Sequence, residues 1–222
     1  MSVGVFNEVW HRVWPLVPEA YQRFVEYYAD QVVEPNRGLL DVLGGFRYLE
    51  GDSNSDVTLY RYESIPAIAQ VSADFGQDPA YIEATEALLT DLTIEETRTL
   101  AFPLACSTAE RLEQTLEETP ASPRRYLQLR RILPGAERAR ARELIGLCVE
   151  QVEKTGAARL VAAYEPLFGD VTKATELWVL PEGARGVDFR ESVDQDHLMD
   201  LDRLAPICVR RGLEPLRYSR LR

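Results

Sequence analysis

The feature that most constrains this chain is that its second half repeats the element order of its first at a nearly constant offset. Laid on one another without gaps, GDSNSDVTLYRY from Gly51 and GDVTKATELWVL from Gly169 place Thr58 on Glu176, Leu59 on Leu177 and Tyr60 on Trp178, an offset of 118. Pro18 and Pro134, which precede the first helix expected in each half, lie 116 apart. So small a drift across elements of matching type predicts two units of like topology, and 222 residues suffice for two of roughly 100 residues each.

The local patterns give those units their content. Val3 to Trp14 is rich in Val, Phe and Trp and ends at Pro15, which reads as a strand. Tyr21, Phe24, Val25, Tyr28, Ala29, Val32 and Val33 recur at helical spacing, and Pro35 ends that run. Gly44 and Gly45 release the chain into a hairpin around a Gly, Asp, Ser and Asn cluster. A helical stretch from Pro66 to Leu89, interrupted near Gly76 and Pro79, precedes a strand over Glu95 to Phe102. The order β-α-β-β-α-β is that of a ferredoxin-like unit.

Residues 1–105 form the first unit in this reading, and 106–123 a connecting helix and linker. Ser107 and Glu110 stand at capping-box spacing, and PASP closes the linker at 120–123. The second unit, 124–222, repeats the order. It has a strand over Arg125 to Leu133, a helix that Gly156 closes, and a hairpin from Leu160 to Leu180 turning at Gly169 and Asp170. A helix over Asp194 to Gly212 and a last strand over Pro215 to Leu221 complete it.

Charge and motif content narrow the function. A formal net charge of −11 repels nucleic acid and anionic membranes. No stretch approaches about 18 apolar residues and the N-terminus lacks a charged-then-apolar leader, so a cytoplasmic protein is expected. Cys106, Cys148 and Cys208 are widely spaced, as buried reduced thiols are. With His11 and His197 the only histidines, and with no GxSxG, GxGxxG or GxxxxGK, neither a metal nor a nucleotide cofactor is expected. The acidic run DQDHLMDLD at 194–202 reads as a solvated helix face.

Three stretches resemble the NIPSNAP family of the dimeric α/β-barrel superfamily: HRVWPLVP with Arg12 and Trp14, GFRYLEGDSNSD from Gly45, and LYRYES with Tyr60, Tyr62, Glu63 and Ser64. DPAY at 78–81 continues the likeness over roughly 90 residues of the first half. In the second half Gln128 stands where the arginine is expected, and Leu180 replaces the tyrosine of the Tyr-Glu-Ser run. The resemblance implies an α+β fold in which tandem ferredoxin-like halves pack two antiparallel sheets face to face as a barrel, with helices outside. It does not select a reaction, since the superfamily spans cofactor-independent monooxygenases, decarboxylases, cyclases, haem enzymes and ligand-binding regulators.

The residues themselves permit one kind of pocket. Alternation puts Glu8, Trp10, Arg12 and Trp14 on one face of the first strand, with Val9, His11 and Val13 on the other. On the hairpin, Thr58, Tyr60 and Tyr62 share a face, as do their counterparts Glu176 and Trp178. Arginine among aromatic rings suits a small apolar or aromatic metabolite with an anionic or carbonyl oxygen. In this reading His11, Arg12 and Tyr60 are the catalytic candidates, His11 as a general base, and Trp10, Trp14, Tyr48, Tyr62, Glu176 and Trp178 line the site. A cofactor-independent cyclisation, isomerisation or oxygenation is expected. A non-catalytic binding or assembly protein whose aromatics are core is the alternative, and a haem held by His197 a lesser one. Homodimerisation is permitted and not required.

Overall fold

A computed structural model of the chain describes residues 3–51, 54–118, 122–168, 170–184 and 186–221. The expected linker at 120–123 lies partly outside them, as do Asp52, Ser53 and Gly169 of the two expected turns. The first half runs β1 (Val5–Trp14), α1 (Pro18–Tyr27) prolonged by a π-helical turn (Tyr28–Val33), β2 (Asp41–Tyr48), β3 (Ser55–Tyr62), α2 (Ile65–Phe75), α3 (Pro79–Leu89) and β4 (Thr93–Pro103). After α4 (Ala109–Glu117) come β5 (Tyr126–Ile132), α5 (Arg138–Thr155), β6 (Arg159–Pro166), β7 (Lys173–Val179), α6 (Phe189–Ser192), α7 (Gln195–Leu204) and β8 (Ile207–Pro215).

The eight strands close into one antiparallel barrel in the order β1-β3-β2-β8-β5-β7-β6-β4. The first four thus lie as β4-β1-β3-β2 and the last four as β8-β5-β7-β6. The two groups meet at short seams: Phe46 to Tyr48 pair with Leu213 to Pro215, and Ala101 to Pro103 with Tyr164 to Pro166. Inward-pointing Phe6, Phe46, Val57, Leu59, Tyr126 and Leu177 fill the barrel, with ring contacts Phe6–Tyr164 and Phe46–Tyr126 at 5.3 and 4.9 Å. Two further apolar layers lie outside it. One sits under α1 and its π-turn, and the other under α5, α6 and α7. No described helix is long and apolar enough to cross a membrane.

Strand register allows the two groups of four strands to be compared residue by residue. Thr58 pairs with Val9 on β1, and Glu176 pairs with Leu129 on β5. With Thr58 and Glu176 taken as equivalent, Gln128 is level with Glu8 and Arg131 with His11. The sequence placed Gln128 at Arg12, which the register corrects: β1 and β5 are offset by two residues more than β3 and β7.

Three local expectations also change. The last strand is Ile207–Pro215, not Pro215 to Leu221, because Pro206 cannot continue α7 and the run ICV favours extended chain. The tail beyond it lies on β2 through Leu216 N–H to Gly45 O and Leu221 N–H to Leu43 O. The cap of α4 is Thr108, whose side chain accepts from the Arg111 N–H, rather than Ser107. Gly44 and Gly45 do not release the chain into the hairpin; they lie inside β2, where a Cβ on Gly45 would overlap the Tyr218 ring. Gly45→Ala is therefore expected to cost about 1–3 kcal/mol by overpacking, read as a lower urea midpoint with unchanged m. An unshifted midpoint would show that the ring moves aside freely.

Candidate functional site

The outer face of β1, β3 and β4 is roofed by α1 with its π-turn, α2 and α3, and between sheet and roof lies a chamber of 260 Å³. Its walls are apolar, from Val9, Val32, Leu40, Val71 and Phe75. Its polar groups include the phenols of Tyr28, Tyr60 and Tyr62, the Asn7 amide, the Glu96 carboxylate and the Arg98 guanidinium. Alternation explains the set: Asn7, Val9 and His11 share the outer face of β1, Tyr60 and Tyr62 that of β3, and Glu96 and Arg98 that of β4. Since a buried cavity of about 150 Å³ takes benzene, this one suits a molecule of one ring or a little more.

Behind the chamber a charge relay crosses three strands. His11 is 1 % exposed; its Nδ1 lies 2.8 Å from Asp56 Oδ1 and its Nε2 3.3 Å from Glu96 Oε2. Burial alone would lower the imidazole pKa, but the two carboxylates outweigh it and push it up to about 9. Glu96 responds in the other direction. Burial would raise it, yet hydrogen bonds from His11 and Arg98 pull it down to about 2. His11 is thus a cation at neutral pH, its Nδ1 hydrogen-bonded to Asp56 and its Nε2 within ion-pair distance of Glu96, which argues against the general-base role expected from its pKa range.

The phenols complete the picture. The hydroxyls of Tyr28 and Tyr60 are hydrogen-bonded to each other, and burial raises both well above the ordinary phenol range, for Tyr60 against a lowering by its hydrogen bond with Tyr28. Both therefore stay protonated, and one of their two protons is left to donate into the chamber. Asn7, 2 % exposed, leaves its Oδ1 without a hydrogen-bond partner among the described residues. An orphan acceptor in such a place costs about 1–3 kcal/mol.

The structure divides the residues expected to form one site. Tyr60, Tyr62 and His11 come together on the helix side of the sheet. Trp10, Arg12 and Tyr48 line a separate cavity inside the barrel mouth, with the Arg12 guanidinium 4.7 Å above the Trp14 ring. Arg12 therefore does not share a ligand with Tyr60, because adjacent positions on a strand face opposite ways. Glu176 and Trp178 lie in the other half under α5 to α7, where Glu176 accepts from Arg131 Nε at 2.6 Å and from Trp178 Nε1 at 2.9 Å. Sequence reasoning missed Asn7, Tyr28, Asp56, Glu96 and Arg98. Tyr28 was legible only as a member of a helix stripe, and Glu96 and Arg98 only as alternate positions of an ordinary strand.

His197, the residue expected to hold a haem in the lesser alternative, lies on α7. Its Nδ1 is 3.2 Å from Gln151 Nε2 where α7 packs on α5, and it lines neither the chamber nor the mouth. Among the described residues no group of three or more His, Cys, Asp or Glu is placed to hold a metal ion.

No protein-family model matches the chain, and no protein of curated function matches it. Solved structures do. A proposed monooxygenase from Fusobacterium nucleatum is 12 % identical, with TM-score 0.58 over 97 % of this chain and 93 % of that one. Chlorite dismutase from Candidatus Nitrospira defluvii is 13 % identical, with TM-score 0.52 over 97 % and 93 %. A NIPSNAP-like domain protein from Burkholderia xenovorans is 18 % identical, with TM-score 0.43 over 49 % of this chain and 91 % of that one. At these identities the two full-length likenesses establish a shared fold and no more.

Proposed function

We propose that the protein binds a small, largely apolar or aromatic metabolite in the chamber between the first sheet and its helices, and acts on it without a bound cofactor. The observation that carries this reading is the Asn7 carbonyl oxygen, buried without a partner on the wall of a cavity of one-ring size. A hydroxyl or N–H on the ligand satisfies it, while the Tyr28–Tyr60 pair, with one proton spent between its members, donates the other to a neighbouring oxygen and Arg98 offsets negative charge growing there. Such a set stabilises an enolate or phenolate. From that state an isomerisation or ring closure proceeds within the molecule, and an oxygenation proceeds with dioxygen as oxidant. The fold shared with proposed monooxygenases is compatible with this chemistry and does not select it.

A non-catalytic ligand-binding protein is the second reading, and one observation favours it. Glu96, the carboxylate at the chamber, is held near a pKa of 2, so only an already acidic substrate would yield it a proton. The same proposal treats 1–105 and 124–222 as duplicated ferredoxin-like halves joined through 106–123, supported by the equal strand orders. One half keeps the chamber. In the other, Trp178 stands at the place of Tyr60 and packs on Phe189, ring centroids 5.6 Å apart.

Tyr60→Phe tests the site with little cost to packing. Calorimetric titration with a panel of hydroxylated single-ring compounds is expected to find binders that the variant holds roughly 3- to 10-fold more weakly, the loss of one hydrogen bond. Turnover of any such binder decides between enzyme and carrier. Equal affinities in wild type and variant for every binder would remove the chamber from the proposal.

A further inference from the structure

The opposite face of the first sheet meets a second compartment. At the end of the barrel where both hairpins turn, β1, β2, β3, β4, β5 and β8 surround a cavity of 480 Å³. Three arginines line it: Arg12 on β1, Arg130 on β5 and Arg211 on β8. Two carboxylates, Glu8 and Glu50, share the lining. Glu8 is already occupied, accepting from Arg130 Nη2 at 2.5 Å, Tyr164 Oη at 2.6 Å and Gln128 Nε2 at 3.2 Å. Arg211 lies 4.5 Å above the Tyr48 ring, and among the described residues no carboxylate lies within ion-pair distance of it.

A second, independent observation lies in the same walls. Ser55 Oγ and Tyr48 Oη, on residues 1 % and 5 % exposed, have no hydrogen-bond partner among the described residues, and neither has Arg130 Nε. These orphans are hydroxyls and a guanidinium N–H that can donate, and they stand beside further guanidinium groups. A ligand that satisfies them all is an acceptor without donors of its own, which is an oxyanion. Trp10 and Tyr48 add flat apolar walls beside the cations.

We propose that the barrel mouth is a binding site for a small organic oxyanion, a carboxylate or phosphate head on a flat body, held by Arg211 and Arg130 with Ser55 and Tyr48. The site is separate from the helix-roofed chamber, since Trp10 and Arg12 alternate with Val9 and His11 along β1. It does not depend on the function proposed for that chamber.

The test titrates sodium benzoate, inorganic phosphate and neutral benzyl alcohol into the full chain, following Trp10 fluorescence and heat. Benzoate or phosphate is expected to bind and benzyl alcohol to bind at least ten-fold more weakly. Arg211→Gln, a change at an exposed position, is expected to weaken the anion about ten-fold or more and to flatten its salt dependence. Ser55→Ala is expected to weaken it a few-fold, and Trp10→Phe to remove the optical signal while the heat remains. Binding of phosphate without benzoate, still sensitive to Arg211, would narrow the head group and keep the site. No anion binding in the wild type, equal affinity in Arg211→Gln, or a loss confined to Tyr60→Phe would overturn the proposal, the last by moving the anion to the chamber.

Discussion

His11→Leu is expected to destabilise the protein by about 3–5 kcal/mol and to lower its melting temperature by roughly 10 °C. The loss comes from what is left behind. Asp56 is fully buried, and the His11 imidazolium 2.8 Å away is the cation that faces it. Leucine fills a similar volume but leaves that carboxylate uncompensated in a dry site, where water cannot replace the lost partner.

The pH dependence separates this cause from simple repacking. His11 has its pKa raised from 6.5 to about 9 in the folded state, so its contribution is present in full below pH 6.5 and is lost as pH rises through 9. A difference of that size corresponds to about 3 kcal/mol. Urea unfolding between pH 6.5 and 9 should therefore show the wild type losing stability steadily and His11→Leu staying nearly flat. The window must close there, because burial raises Cys106 and Cys148 to about 12 and about 11, and their thiols begin to ionise in the unfolded chain near 9. A variant with the wild-type slope would show that the imidazole is not the titrating group.

These effects indicate which parts of the molecule were legible in the sequence. Periodicity alone separated Trp10 and Arg12 from Val9 and His11, and it grouped Thr58, Tyr60 and Tyr62, because a strand has only two faces. It did not say which face looks into the barrel, since β1 is buried on both sides and carries apolar residues on each. Joining Arg12 to Tyr60 in one pocket was the consequence. The relay was beyond reach for a different reason: His11, Asp56 and Glu96 come from three strands, and only the pairings β1–β3 and β1–β4 bring them level. The misplaced last strand has a simpler source, an acidic and leucine-rich helix pattern continued through Pro206, where the missing N–H stops it.

The second half offers the sharper experiment on the same physics. Arg131, level with His11, is 2 % exposed and donates through Nε to Glu176 and through Nη1 to the Ala205 carbonyl at 3.1 Å. Arg131→Met removes the cation and both donors at once and is expected to cost about 3–5 kcal/mol, as breaking a buried ion pair does. Adding Glu176→Leu removes the stranded carboxylate, and the double variant should regain most of that loss. It should not regain all of it, because Trp178 Nε1–H and the Ala205 carbonyl then lack their partners, at about 1–3 kcal/mol for each group left buried. Chemical denaturation of the two single variants and the double yields a coupling energy, and the loss of the indole hydrogen bond is read separately in Trp178 emission. If the losses of the single variants simply add in the double, Arg131 and Glu176 do not act as a pair.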